Sequence, residues 1–244
     1  MDPHSDEPTD GPIPDPSPVR VDNHDGVAIV TMDDGKANAL GHRMLDALAN
    51  ALGDASDADA VVVAGRPGRF SAGFDLEIMR RGGSDARDLL AAGVDTFLKA
   101  YLHPRPVVAA CTGHAIAAGA IVLMSSDVRI GASGDFKIGM PEVTIGMPLP
   151  FFATEMMRDR LSPRHLSAAL LGQMRDPAGA VEVGYLDEVV DADQVLDEAA
   201  ATAQSLSSVG RGALRRTRVT SRGSVADAIR MGLVDDLSHF DVES

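Results

Sequence analysis

The chain has 244 residues, 36 acidic and 22 basic side chains, a formal net charge of −14, a single cysteine and no tryptophan. This length predicts one large domain, or one domain with an appendage, whose core needs no disulfide or metal for stability. The acidic excess argues against a nucleic-acid partner, Cys111 alone excludes an internal disulfide, and no apolar run approaches the roughly 18 residues of a membrane helix. We therefore expect a globular cytoplasmic protein with no membrane partner.

The first 18 residues differ from the rest of the chain. Six of the 14 prolines lie there among acidic residues, and so polar a segment buries too little surface to offset the entropy of ordering. We predict a disordered, proline-rich arm over residues 1–18. Its acidic, polar start does not resemble a signal or transit peptide.

From Val19 onward, strands and helices alternate. Valine-rich segments on both sides of a turn predict a hairpin, apolar residues at helical spacing predict helices, and continuous apolar runs predict buried strands. In chain order these are a hairpin over 19–31, a helix over about 41–54, a strand at 60–64, a helix over about 86–101, and strands at 107–110 and 128–130. The alternation is typical of a layered α/β protein.

The last third of the chain is predicted to be mostly helical. Glycine and proline are sparse in three stretches there, about 150–171, 192–207 and 224–240. Residues 186–190 predict an edge strand, and the basic stretch 211–222 is predicted to interrupt the helices. The chain thus divides into a core over residues 19–190 and a helical region over residues 191–244.

Several common catalytic motifs are absent from the sequence. It has no GxGxxG after a strand, no P-loop, no GxSxG turn and no HExxH pair. One cysteine and scattered histidines cannot form a cysteine-rich zinc site, and we expect no metal. Ser71 has no histidine at motif spacing and His114 lies in an apolar stretch, so structural roles are predicted for both.

Two loops of small residues follow two of the predicted strands. Residues 69–76 come after strand 60–64 and residues 113–120 after strand 107–110, and small side chains let a ligand approach the backbone closely. The second loop leads into a predicted helix, whose N-terminus would offer free N–H groups and a positive dipole end to an oxyanion. Close packing between strands and helices is an equally good explanation of both loops.

Glu142 is the lone acid of the glycine- and proline-punctuated apolar segment 139–148. Apolar surroundings raise the pKa of a carboxyl, which suits a general acid–base group near neutral pH. The alternative is a glutamate at the surface or at a helix cap.

Together these segments resemble the crotonase superfamily, the enoyl-CoA hydratases and isomerases. The resemblance spans about residues 19–240, and its matching pieces, in family order, are 36–40, 70–76, 113–127 and 136–146. It implies an α/β, crotonase-like fold of repeated ββα units. It also implies that the C-terminal helical region, residues 191–244, assembles a homotrimer or a hexamer.

The resemblance further implies an acyl-CoA thioester as substrate, with coenzyme A bound as part of that substrate and no separate cofactor. By position, the backbone N–H groups of Phe74 and Ala118 would hold the thioester oxygen, and Glu142 would be the acid–base residue. The implied substrate-binding residues are Lys36, Ala37, Ser71, Ala72, Asp75, Ile121 and Met147.

Position 121 distinguishes between the reactions of the superfamily. Family hydratases carry a second glutamate three residues after the second oxyanion donor, where this chain has Ile121, and on a helix that residue returns to the same face. The single glutamate resembles the Δ3,Δ2-enoyl-CoA isomerases, so we predict isomerisation of a 3-enoyl-CoA to a 2-enoyl-CoA. The alternatives are hydration of a 2-enoyl-CoA, non-catalytic acyl-CoA binding, and another enolate reaction.

Coenzyme A carries phosphates, so an acidic protein needs a local basic cluster to bind it. Basic residues beside the motif loops and in the C-terminal region are candidates, although each is also explained as part of a solvated face. They are Lys36, Arg66, Arg69, Arg80, Arg81, Arg215, Arg216 and Arg218.

Overall fold

The structure, a computed structural model, describes residues 17–238 of the chain. The arm predicted over residues 1–18 lies outside the described residues, except for Ser17 and Pro18. Within them the strands are β1 (Val19–His24), β2 (Val27–Met32), β3 (Ala39–Leu40), β4 (Ala60–Ala64), β5 (Gly68–Ser71), β6 (Gly73–Phe74), β7 (Val107–Cys111), β8 (Gly113–Ile116), β9 (Val128–Ala132), β10 (Ile138–Gly139) and β11 (Glu188–Val190). The helices are α1 (His42–Asp54), α2 (Leu76–Arg81), α3 (Gly83–Tyr101), α4 (Ala118–Ser125), α5 (Phe151–Arg160), α6 (Leu166–Leu170), α7 (Pro177–Val183), α8 (Val195–Leu206) and α9 (Arg211–Ser238).

Six strands form the main sheet, in the order β1-β2-β4-β7-β9-β11. The first pair is antiparallel, which confirms the predicted hairpin, and the other neighbours are parallel. Strand β11 lies at the edge, as predicted for residues 186–190. The parallel arrangement explains the continuous apolar runs, because such strands are covered on both faces.

Alternate residues of the main sheet point into two hydrophobic cores. In β4, Val61 and Val63 belong to the larger core, which includes residues of α1, α3 and α4, whereas Val62 belongs to the smaller one. Helix α8 contributes buried residues to the smaller core, namely Val195, Ala199 and Ala203. This helix therefore covers the second face of the sheet, although it lies beyond residue 190.

Four units, each beginning with two strands and ending in helix, follow one another between β2 and α5, and the second also contains the short strand β6. The first strand of each unit joins the main sheet, and the second strand belongs to one of two smaller sheets. These smaller sheets are a three-stranded one, ordered β10-β8-β5, and the pair β3-β6. The repetition confirms the ββα fold that the resemblance implied.

The C-terminal helices depart from the sequence prediction in two places. Residues 150–171 hold two helices, α5 and α6, because Pro163 between them cannot continue a helix. Helix α9 begins at Arg211 rather than near residue 224, so the basic stretch 211–222 is helical and does not interrupt the helices. None of the helices within residues 17–238 is long and apolar enough to cross a membrane.

Ion pairs explain why α9 starts so early. Arg218 and Arg222 both pair with Asp127, the latter at 2.8 Å, and the Arg222 guanidinium lies 4.7 Å from the centroid of the Tyr101 ring. These contacts draw the first half of α9 onto the core, whatever its local propensity. Because Arg218 is 3% exposed, it does not belong to the surface cluster expected for coenzyme A.

Candidate active site

The three-stranded parallel sheet gathers the three predicted site segments. Ala115 in β8 pairs with Ser71 of β5 on one side and with Ile138 of β10 on the other. The carboxyl ends of parallel strands meet at one edge, which is where ligands bind in open α/β sheets. The segments that follow the three strands at this edge are Gly73–Phe74, Ala117–Ala118 and Pro141–Glu142.

The two small-residue loops are in direct contact at this edge. Gly73 has φ +89°, and a Cβ at that position would lie 2.8 Å from the Ala117 Cβ and 3.1 Å from the Ala118 nitrogen. Only glycine permits such an approach. The peptide that carries the Phe74 N–H therefore lies beside the Ala118 N–H.

Ala118 is the first residue of α4, so its N–H has no acceptor within that helix. The preceding Ala117 has φ +54° and ψ −126°, a conformation that costs a residue with a side chain about 1–3 kcal/mol. Its N–H donates to the carbonyl of Gly139 at 2.9 Å, which holds this turn against β10. The strained turn starts α4 directly after β8, so the positive end of the helix lies at the site.

The first loop is held by its own hydrogen bonds. Ser71 is buried, its Oγ donates to the Asn38 carbonyl at 2.8 Å, and the same oxygen accepts from the Gly73 N–H at 3.2 Å. Asp75 caps α2, because its Oδ1 accepts from the backbone N–H groups of Glu77 and Ile78. The Ser71 hydroxyl and the Oδ1 of Asp75 are thus engaged in local hydrogen bonds.

The remaining substrate-binding residues predicted in and beside the first loop lie nearer the surface. Lys36 and Ala72 are exposed and Ala37 is half-buried, and the Ala72 N–H donates to the Ala37 carbonyl at 3.0 Å. Arg66 donates to the Lys36 carbonyl at 2.9 Å. His114 packs edge-on against Phe136, and its Nδ1 accepts from a backbone N–H, so it has the structural environment predicted for it.

Glu142 opens a single 3-10 turn, Glu142–Ile145, that follows Pro141. Its carboxyl is half-buried, and its Oε2 has no hydrogen-bond partner among residues 17–238. Burial raises the pKa of this carboxyl above its ordinary value, while a hydrogen bond with its own backbone lowers it in part. Met147, predicted to bind substrate, is exposed, and its N–H donates to the Glu142 carbonyl at 3.0 Å.

Ile121 lies one turn after Ala118 in α4 and is only 1% exposed. Every residue of α4 is buried, so this helix presents an apolar side chain at the position where a second carboxylate would serve a hydratase.

Two buried residues with a bearing on the site were not among the predicted site residues, although Asn38 belongs to the matching piece 36–40. Asn38 is buried, and its amide donates to the carbonyls of Met32 at the end of β2 and of Phe70 in β5. Tyr185 is fully buried, its hydroxyl has no partner among the described residues, and both burial and the Glu142 carboxyl raise its pKa. A lone tyrosine between Gly184 and Leu186 was the only available signal, and nothing in the sequence places it beside Glu142.

Comparison with known proteins agrees with this geometry. A model of the enoyl-CoA hydratase/isomerase family matches residues 22–220. Mitochondrial enoyl-CoA delta isomerase 1 of Rattus norvegicus is 27% identical over 229 residues, which cover 91% of this chain and 79% of that protein.

Two solved structures share the fold under different functional names. An enoyl-CoA isomerase from Mycobacterium tuberculosis superposes with a TM-score of 0.86 at 36% identity, covering 91% of this chain and 98% of that one. An enoyl-CoA hydratase from Mycobacterium marinum gives a TM-score of 0.87 at 34% identity, with 91% and 99% covered. With matching segments, a matching fold and a matching family model, the chain belongs to the enoyl-CoA hydratase/isomerase family of the crotonase superfamily.

Proposed function

We propose that the protein is an isomerase that converts a 3-enoyl-CoA into the conjugated 2-enoyl-CoA. The observation that carries the proposal is the combination of one carboxyl of raised pKa, Glu142, with a buried isoleucine at position 121. Proton transfer between two carbons needs one acid–base group, whereas the family hydratases use two glutamates. Relatives named as isomerases and as hydratases both match the chain. The proposal of isomerisation over hydration therefore rests on the side chains at the site.

The first chemical task is to stabilise negative charge on the thioester oxygen. We assign it to the N–H groups of Phe74 and Ala118, whose peptides lie side by side at the edge of the three-stranded sheet. By analogy with other oxyanion holes, each donor is worth roughly 2.7–4 kcal/mol in the transition state. Because these donors belong to the backbone, the alanine at position 118 can supply one as a glycine would.

The second task is to move one proton. The Glu142 carboxylate takes the proton from C2, and the electron pair of the broken C–H bond enters the dienolate, whose charge rests on the thioester oxygen. The neutral carboxyl then returns the proton at C4, and the double bond moves from C3–C4 to C2–C3. A carboxyl of raised pKa is a stronger base for the first step and still releases its proton in the second.

Ile121 disfavours hydration because its side chain has no polar group. Its side chain neither orients nor activates a water molecule, which addition of water across a double bond requires. It also lowers the local polarity, and this favours the neutral form of a nearby carboxyl. We therefore assign Ile121 to the substrate-binding surface as the residue that favours isomerisation over hydration.

We assign the coenzyme A portion of the substrate to the first loop. Lys36 is exposed there beside Arg66, and both are cations that suit phosphate groups in an otherwise acidic protein. The thioester would lie along the backbone of Ser71, Ala72 and Asp75 in this loop and of Ala37 beside it. At the other side of Glu142 the exposed Met147 is assigned to the acyl chain.

We also propose that the protein is a homotrimer or a hexamer assembled through the C-terminal helical region. Helix α9 leaves Met231 75% exposed and Val234 76% exposed, which is unusual for large apolar side chains on one helix. Sedimentation velocity tests the assembly, and a monomer at micromolar concentration would contradict it.

A paired assay tests the reaction itself. Purified protein is added to a 3-enoyl-CoA in one cuvette and to a 2-enoyl-CoA in another, and the absorbance of the conjugated enoyl thioester is followed in both. We expect a rise in the first cuvette and no change in the second. A fall in the second would mean hydration without a second glutamate, and silence in both with acyl-CoA still bound would indicate a carrier or another enolate reaction.

The Glu142→Gln variant makes the assay specific to the proposed base. Loss of the acid–base group is expected to lower turnover by about 10²- to 10⁴-fold, while binding of acyl-CoA is retained. Glu155→Gln is the matched control, because Glu155 is also half-buried but is paired with Arg158 on α5. Turnover retained in Glu142→Gln would overturn the assignment.

A further inference from the structure

Two buried polar atoms in this part of the molecule lack a hydrogen-bond partner within residues 17–238. They are the Oε2 of Glu142 and the hydroxyl oxygen of Tyr185. Buried polar groups are nearly always hydrogen-bonded, to protein or to ordered water. The structure forms no direct hydrogen bond between these two atoms, but one is a donor and the other an acceptor, and a water molecule between them would satisfy both.

The fold explains why Tyr185 lies on the Glu142 side of the site. The backbones of Ile138 and Arg175 are joined by two hydrogen bonds of 2.9 Å, which fasten β10 to the residues just before α7. Tyr185 follows α7 and is tied back to it, because its N–H donates to the Ala180 carbonyl at 2.9 Å. Its ring lies in the larger hydrophobic core, to which Met140, two residues before Glu142, also belongs.

Few charged groups act on the Tyr185 hydroxyl. Burial is the main reason why the pKa of Tyr185 is raised, the Glu142 carboxyl raises it further, and Arg175 lowers it. The hydroxyl therefore stays protonated at all working pH values and is able to donate. Glu142 is the one carboxyl among the charged groups that act on this hydroxyl.

We propose that Tyr185 is a positioning residue whose hydroxyl is hydrogen-bonded to Oε2 of Glu142 through one bound water molecule. The hydrogen bond holds one carboxylate oxygen and leaves the other for the substrate proton. This inference adds a residue to the proposed isomerase site and rests on that function for its kinetic consequences. Its structural part, the link between Tyr185 and Glu142, stands independently of the reaction.

The proposal predicts the sign of a pH effect. A donor to the ionised carboxylate stabilises the charged form, so its removal raises the pKa of Glu142. The base must be ionised to take the C2 proton, and the rate therefore rises with pH through that pKa. In Tyr185→Phe the acidic limb of the kcat/KM profile is expected to move to higher pH by about one to two pH units.

Tyr101 supplies the matched control for this experiment. It is the only other tyrosine in the chain, it is equally buried, and its hydroxyl donates to Asp159 at 2.5 Å. Tyr101→Phe thus makes the same chemical change away from Glu142, and we expect the acidic limb to stay in place. An active Tyr185→Phe enzyme whose limb coincides with that of wild type would overturn the inference.

A second readout does not depend on activity. The chain lacks tryptophan, so in Tyr101→Phe the near-ultraviolet absorbance comes mainly from Tyr185, and ionisation of Glu142 should perturb it. We expect a titration at a pH above the ordinary glutamate range that disappears when Glu142→Gln is added. A flat trace would overturn the inference. If Tyr101→Phe does not fold, the difference between wild type and Tyr185→Phe gives the same signal.

The two readouts separate the inference from the proposed function. If wild type has no isomerase activity but its tyrosine signal depends on Glu142, the proposed function is refuted and the link between Tyr185 and Glu142 is supported. If wild type is active, its tyrosine signal is flat and the pH profile of Tyr185→Phe is unshifted, the proposed function is supported and the link between Tyr185 and Glu142 is refuted.

Discussion

Replacement of Asn38 tests how the first site loop is held in place. Asn38 is fully buried at φ +52°, and its Oδ1 accepts from the Asp34 N–H at 3.0 Å. Its Nδ2 donates to three carbonyls at 2.9, 3.1 and 3.2 Å, those of Met32, Arg69 and Phe70. The side chain thus joins the loop before β3 to the end of β2 and to β5.

The expected cost follows from these contacts. An amide has two N–H protons, so two of the three donated bonds are strong at any time, and the accepted bond makes a third. At about 1 kcal/mol each, Asn38→Gly loses about 3 kcal/mol of unfolding free energy. Asn38→Ala loses about 1 kcal/mol more, because alanine also pays for the positive φ that glycine adopts freely.

Urea unfolding followed by circular dichroism, at one protein concentration, measures these differences. Asn50→Ala is the control, since Asn50 is exposed on α1 and its replacement is expected to change stability by less than about 0.5 kcal/mol. The reasoning is refuted if Asn38→Ala stays within about 1 kcal/mol of wild type, or if Asn38→Gly is the less stable of the two variants.

Three further predictions concern other parts of the molecule. Burial raises the pKa of Glu142, so its contribution to stability is complete below the ordinary glutamate pKa and is lost as pH rises through the native pKa. The stability of Glu142→Gln relative to wild type should therefore be higher at pH 8 than at pH 4. Urea midpoints whose difference between the two proteins is the same at both pH values would contradict this. Asp127→Ala leaves the buried Arg218 without its counter-ion and is expected to cost about 3–5 kcal/mol, more than Arg218→Met, in thermal unfolding; the reverse order would exclude the ion pair as the cause. Burial raises the pKa of the Cys111 thiol to about 12, so a thiol reagent at pH 8 should label it in urea but not in the native protein, and fast native labelling would show that β7 is accessible.

The elements that the sequence predicted are those whose signal is local. Strand β4 is an unbroken apolar run and α1 carries apolar residues at helical spacing, and both lie where they were predicted. The short strands β3, β6 and β10 have two residues each, too few for a periodic pattern. Their existence depends on pairing with segments far away in the chain.

The same division applies to the candidate site. The sequence supplied the two small-residue loops, the lone Glu142 in an apolar segment and the isoleucine at position 121, because each is a property of neighbouring residues. It predicted these segments as separate pieces. Their meeting at one edge follows from the pairing of β5 and β10 with β8, and such pairing is not encoded in any one segment.

The sequence did not predict contacts between side chains that are far apart along the chain. The early start of α9 depends on the ion pairs of Arg218 and Arg222 with Asp127, which lies more than 80 residues earlier in the chain. The placement of Tyr185 near Glu142 likewise needs α7 docked against β10. Residue type and spacing determined which chemistry the chain carries, and tertiary packing decided which groups are desolvated together, because burial and long-range pairing arise only when the whole chain folds.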